Sequence, residues 1–182
     1  MRRLLLAGLV AAAAHAQPAQ ATLTPAVGVT APVAGGFGDP WRTGVGLSAR
    51  VETPAYGGRA RAEAWAAVYD APDDSAPGFA LVVPTLGWGP AFDAGPVRLG
   101  AGVRVGAARF QIDDDQAGNL QNETELAVGA WLGGALRWGR AEVWAEVDGT
   151  RLTLAEPVTL VAATGGLAVR LDAPRWLRTL VR

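Results

Sequence analysis

The sequence has no cysteine and no lysine, and its single histidine is His15. Without cysteine there is no disulfide framework and no thiolate to act as nucleophile or ligand. His15 itself falls in a segment that reads as a secretory signal peptide, residues 1–16. Arg2 and Arg3 form a positive start, "LLLAGLVAAAA" an apolar middle, and "AHA" a small-x-small cleavage site ahead of Gln17. That apolar run is too short to span a bilayer as a helix. The mature chain from Gln17 therefore has neither histidine nor cysteine. This excludes a histidine-based triad, a thiol nucleophile and a histidine-ligated metal site. Of 16 arginines two leave with the signal, so 14 face 17 acids and the formal charge is 14 − 17 = −3. No clustered basic face for nucleic acid is expected from that balance. Helical periodicity is also missing between residue 20 and the C-terminal tail.

What the chain has instead is alternation. Eight stretches repeat with a period of two: 22–33, 43–54, 59–70, 79–88, 97–112, 123–138, 141–152 and 158–171. The sixth, "ETELAVGAWLGGALRW", is too long for an ordinary globular strand. All are at least as long as the nine to eleven residues that cross a bilayer as a tilted strand. The connections alternate too. "AYGG" (55–58), "GPAFDAGP" (89–96) and "GR" (139–140) form one set; 34–42, 71–78, 113–122 and 153–157 form the other, mostly more polar. Strands running up and down place these sets on opposite rims, with both termini on the short-turn side.

Parity sorts the side chains onto two faces. In the fifth stretch Val97, Leu99, Ala101, Val103 and Val105 oppose Arg98, Gly100, Gly102, Arg104 and Gly106. The fourth stretch does not sort cleanly. Collected over the others, the polar face carries Arg50, Arg59, Arg61, Arg98, Arg104, Arg137 and Arg170 against Glu52, Glu63, Glu123, Glu125, Glu142, Glu146 and Asp148. Seven against seven fits an interior ion-pair network, since confined charges are tolerated when paired. Glycines beside long arginines suit an eight-stranded barrel, just wide enough for side chains to fill. Trp65, Trp131 and Trp144 share this face, an odd arrangement if it met bulk water. The apolar face is free of charge through the strand middles, as lipid requires. Two sets of aromatics are expected as interface girdles: Trp88, Phe92 and Trp138 at the short-turn rim, and Phe37, Trp41, Phe79 and Phe110 near the long-loop rim. The alternative with the same parity is a soluble exported barrel, apolar face inward, binding a small apolar ligand.

The pattern over residues 22–171 resembles the small eight-stranded outer-membrane barrel proteins of the OmpX/OmpA-like class. The resemblance rests on "GVTAPVAGGFGDPWRTGVGLSARVE" (28–52), two Gly-rich strands around an outer loop, and on "GGLAVRL" (165–171) as a closing strand. It implies an all-β, antiparallel, up-and-down transmembrane barrel in the outer membrane of a Gram-negative envelope, with lipid as its partner. The expected organisation is a signal peptide (1–16), a barrel (17–171) and a basic amphipathic tail (172–182). Members of the class end on their last strand with an aromatic residue; here "DAPRWLRTLVR" follows Leu171.

No catalytic residue is expected. Glu142 with Glu146, or Glu123 with Glu125, would be neighbouring carboxylates on one strand face, but arginine pairing accounts for them without catalysis. No cofactor is expected. Asp113, Asp114 and Asp115 form a weak Ca²⁺ candidate whose spacing departs from an EF-hand, and a solvated acidic loop explains them as well. Function is expected in envelope structure or in outer-loop contacts, with Phe37, Trp41 and the Asp113–Asp115 loop exposed for them.

Overall fold

The alternating stretches fold as strands of one closed antiparallel barrel in the computed structural model, which describes residues 22–37, 41–70, 77–112 and 123–174. The proposed signal peptide, Asp113–Asp115 and the tail beyond Pro174 lie outside these residues. In chain order the strands are β1 (Thr22–Gly35), β2 (Arg42–Thr43), β3 (Gly46–Ala55), β4 (Gly58–Asp70), β5 (Phe79–Gly89), β6 (Ala91–Ala94), β7 (Val97–Ile112), β8 (Thr124–Trp138), β9 (Ala141–Leu152), β10 (Val158–Val169) and β11 (Leu171–Asp172). Three are short continuations: β2 extends β3, β6 extends β5 and β11 extends β10. Eight staves result. The barrel closes where β10 pairs β1 from Ala26↔Ala168 to Gly35↔Leu160, with β11 adding Leu23↔Leu171. A bulge at Pro32/Ala34 interrupts that seam; proline has no N–H to give a ladder, and bulges are where sheets tolerate it.

Three two-residue turns link staves at one rim. Tyr56 and Gly57 both have positive φ, 50° and 72°, the signature of a type I′ turn. Gly95 (φ 60°) precedes Pro96 and Gly139 (φ 60°) precedes Arg140, so glycine takes the first central position, as type II′ turns require. The segment 89–96 is thus not one long connection. Pro90 breaks the ladder, Ala91–Ala94 resumes pairing with β7 from Ala91↔Gly100 to Ala94↔Val97, and the chain reverses only at Gly95–Pro96.

Parity becomes inside and outside. Arg98 and Arg104 on β7 are buried while Val97, Leu99, Val103 and Val105 are exposed, Val103 at 65%. The same holds around the barrel for Val27, Leu47, Leu86, Leu132, Val143 and Leu167. The inverted arrangement that a soluble, apolar-cored barrel needs is therefore not the one adopted. β5 resolves with Leu81, Val83 and Thr85 buried and Leu86 and Trp88 exposed. It resisted sorting because both its faces are apolar: its upper half lines an apolar part of the interior.

Inner-face glycines make room for large neighbours. A Cβ on Gly102 would lie 2.8 Å from the Trp131 ring and 2.7 Å from the Trp88 carbonyl oxygen. Overpacking a filled interior costs about 1–3 kcal/mol. Gly102→Val should therefore lower the unfolding free energy of the detergent-solubilised barrel by that amount, whereas Val103→Ala, on the outer face of the same strand, should change it by less than about 0.5 kcal/mol. Tryptophan fluorescence across a urea series measures both.

Candidate functional site in the barrel interior

Residues two apart on a strand stack on one face, so Arg50 and Glu52 on β3, Arg59, Arg61 and Glu63 on β4, and Glu142, Glu146 and Asp148 on β9 form inward columns. Closing the barrel brings these columns together with Arg98 and Arg104 of β7. Glu52 receives four arginines: Arg61 at 2.7 Å, Arg59 at 3.0 Å, Arg98 at 3.4 Å and Arg50 at 3.5 Å. Glu146, from the far wall, takes Arg50 at 2.6 Å and Arg61 at 2.9 Å. Glu63 pairs Arg104 at 3.1 Å and Arg61 at 3.5 Å, and Arg104 also pairs Asp148. Glu142 lies 2.9 Å from Arg98. These ten side chains, five arginines and five acids, are all buried. A buried ion is tolerable only with its hydrogen bonds filled, and neighbouring hydroxyls supply several. Arg59 donates to Thr24 Oγ1 at 3.1 Å and Arg104 to Thr150 Oγ1 at 2.6 Å. Thr164 Oγ1 donates to Asp148 at 3.2 Å.

Two tryptophans belong to the same assembly. The Arg50 guanidinium lies 3.5 Å from the Trp144 ring centroid and that of Arg61 3.9 Å from Trp131. A cation over a desolvated indole face is attracted by about 2 kcal/mol.

Three of the charged candidates stand apart, and a fourth, Arg137, meets the network only at its edge. Glu123 is exposed and Glu125 half-buried at the loop end of β8, above the ion pairs. Arg137 is half-buried near the short-turn rim, 2.6 Å from Asp93 and 3.6 Å from Glu142. Arg170 donates to the Gly139 carbonyl at 3.0 Å and touches none of the ten. Parity reports which wall a side chain leaves, not its height along the axis, so strand-end charges look like members of the interior. Asp93 was missed because it sits in the segment taken for a turn.

The aromatic candidates divide by rim. Trp88, Phe92 and Trp138 are exposed on the outside at the short-turn end, Trp138 at 79%, with Tyr56 beside that rim. The Trp88 indole N–H donates to the Ala55 carbonyl at 3.0 Å. The long-loop set is not an outer girdle. Phe110 is buried, and Phe37, Trp41 and Phe79 pack against a buried apolar cluster that includes Tyr69, Leu81, Val83, Leu152 and Leu160. Tyr69 and Phe79 stack at 4.8 Å, and Phe37 meets Tyr69, Phe79 and Phe110 edge-on at 5.0, 5.1 and 5.7 Å. Trp41 donates to the Pro77 carbonyl at 3.1 Å. Parity alone explains the correction: Phe110 shares the face of Arg98 and Arg104. The interior thus has two levels, charged toward the short turns and apolar-aromatic toward the loops.

Removing one partner from such a network leaves buried charge uncompensated, at about 3–5 kcal/mol. Arg104→Met should cost that much in urea unfolding. The double variant Arg104→Met/Asp148→Leu should cost less than the single one, because it removes a stranded carboxylate together with its partner. A double-mutant cycle in detergent micelles reads the coupling.

No protein-family model matches the chain, and no curated protein matches it. Solved structures do. Neisserial surface protein A (NspA) is 15% identical, aligned over 84% of this chain and 97% of its own, with a TM-score of 0.60. Ail, the attachment invasion locus protein of Yersinia pestis, is 11% identical over 84% of this chain and 99% of its own, with a TM-score of 0.55. Its complex with the heparin analogue sucrose octasulfate aligns with a TM-score of 0.54. The fold of this chain is that of the small eight-stranded outer-membrane barrels.

Proposed function

We propose that the chain is an outer-membrane protein that crosses the bilayer as a closed, plugged barrel, carries out no covalent chemistry, and acts in envelope structure or through its long loops. The observation that carries this reading is the continuous apolar outer surface. A soluble monomer rarely exposes so large an apolar area. On β7 the outward residues from Val97 to Ala107 carry no charge, and the next outward residue is Arg109. Ten residue steps cover about 34 Å of strand, and a tilt of about 40° reduces that to about 26 Å along the normal. This matches the roughly 25 Å apolar band of such barrels. Trp88, Phe92 and Trp138 mark its lower edge, where indole and phenyl rings favour the lipid interface. Arg151, also outward and exposed, stands toward its upper edge.

The interior supports a plug rather than a reaction centre. The carboxylates Glu142 and Glu146, separated on β9 by the inward Trp144, are buried and each is engaged by arginine. A general acid or base must reach a substrate proton, and these two reach guanidinium groups. The aromatic cluster closes the loop end above them. Contacts with partners then fall to the connections on that rim, residues 36–41, 71–78, 113–123 and 153–157.

The deciding test is electrophoretic mobility in SDS, boiled against unboiled, together with envelope fractionation. A shift on boiling with the protein in the outer-membrane fraction is expected; an unshifted protein soluble in the periplasm overturns the reading. Val103→Arg, which puts a charge near the middle of the lipid face at about 2–4 kcal/mol, should reduce the folded, unshifted band strongly, while Val103→Leu should leave it intact.

A further inference from the structure

The charged half of the interior is balanced in total but not level by level. Glu63 and Asp148 share Arg104, an excess of one negative charge. Nearer the short turns Arg50, Arg59, Arg61 and Arg98 meet Glu52, Glu142 and Glu146, so 4 − 3 leaves an excess of one positive charge. A cavity of about 20 Å³ lies within that positive level. All four of those arginines line it, against only two carboxylates, Glu52 and Glu146, with Trp131 and the glycines of β7 and β8 completing the wall.

Three buried polar atoms of the lining residues have no hydrogen-bond partner: Arg98 Nη1, Trp131 Nε1 and Arg50 Nε, the last held only by its 3.5 Å ion-pair contact with Glu52. The residues are 6%, 7% and 8% exposed. All three atoms are donors, and neither arginine nor tryptophan has an acceptor to offer. Each unfilled buried donor costs about 1–3 kcal/mol. Among the lining residues the unpartnered groups are all donors; the unpartnered acceptors nearby, the two carboxylate oxygens of Glu142, belong to the ion-pair partner of Arg98 and lie outside the lining. The cavity's volume admits a small, water-sized body.

We infer that this cavity is a binding site for a single small monovalent anion of the halide class. The anion accepts from the Arg98 guanidinium, the Trp131 indole and the Arg50 guanidinium, and it neutralises the positive level of the interior. A water molecule fills the same volume but offers no charge to set against the four arginines. Arg98 is the second residue after the Gly95–Pro96 turn, so the site lies close to the short-turn mouth.

The experiment uses the whole barrel in detergent with sodium bromide, sodium chloride or sodium gluconate at constant ionic strength. Bromide and chloride should raise the urea midpoint in proportion to the logarithm of their concentration above the dissociation constant and gluconate should not; at one hundred times the dissociation constant the folding equilibrium shifts about a hundredfold. Crystals soaked in bromide should show one anomalous peak in the cavity, in contact with Arg98 and Trp131. Trp131→Phe keeps an aromatic ring under Arg61 but deletes the N–H, and it should weaken the halide effect severalfold while the barrel still folds. Equal midpoints in all three salts, a cavity holding only water, or an unchanged halide effect in Trp131→Phe each overturns the assignment. Because folding and membrane fractionation are read separately, an absent halide effect in a heat-modifiable barrel removes this site without touching the proposed function.

Discussion

Glu52 lies within ion-pair distance of four guanidinium groups from three staves, and much of the interior follows from the need to satisfy them. A guanidinium removed from water requires both a counter-charge and acceptors for its N–H groups. Glu52 alone cannot supply those, so the acids of β9 must reach across the lumen, and Thr24 and Thr150 must present hydroxyls at the remaining donors. Long side chains spanning the lumen need space at the opposite wall. The inner-face glycines provide it: a Cβ on Gly129 would stand 3.2 Å from Arg104 Nε, and one on Gly28 would stand 2.7 Å from the Trp144 ring. Glycine content, tryptophan placement and charge alternation are one solution to one packing problem.

The network does not run the length of the barrel. Above Arg104 the inner face turns to Leu81, Val83, Ala108, Leu152 and Leu160, capped by Phe37, Tyr69, Phe79 and Phe110. An apolar layer at the loop end excludes water from the ion pairs beneath it. Lower local polarity strengthens each pair and raises the cost of breaking one. The aromatic rings fill the loop end with edge-to-face and stacked contacts, which retain attraction without further charge. At the other end Trp88 and Trp138 point outward, so the two rims use aromatics for different purposes.

Fold class was legible because a barrel with unlike surroundings on its two sides writes its geometry into parity. The fifth and seventh stretches coincide with β7 and β9, and the others agree within a few residues. The ten buried charges were legible for the same reason. What parity cannot encode is height. Glu123, Glu125 and Arg170 have the parity of the interior and lie beyond the network. Phe110 was misassigned although its parity was available, because an aromatic near a strand end was read by position rather than by face. The fourth stretch failed for a converse reason: with Leu81 and Val83 inward and Val82 and Leu86 outward, hydropathy carries no contrast. The Gly95–Pro96 turn was hidden by Pro90, which imitates the end of a strand while only bending it.

The absence of lysine has a physical reading in this interior. Arg61 pairs Glu52, Glu63 and Glu146 and at the same time lays its guanidinium over Trp131. A planar fork with five donors can face carboxylates along its edges and an indole on its face. A lysine ammonium is compact and more strongly hydrated, and burial shifts it readily toward its neutral form. An amine that lost its proton here would leave the carboxylates around it without a counter-charge. A guanidinium keeps its charge through the whole physiological range. Arginine is therefore the cation that can hold three carboxylates and a ring together without water, and the lower level of the barrel is organised around that capacity.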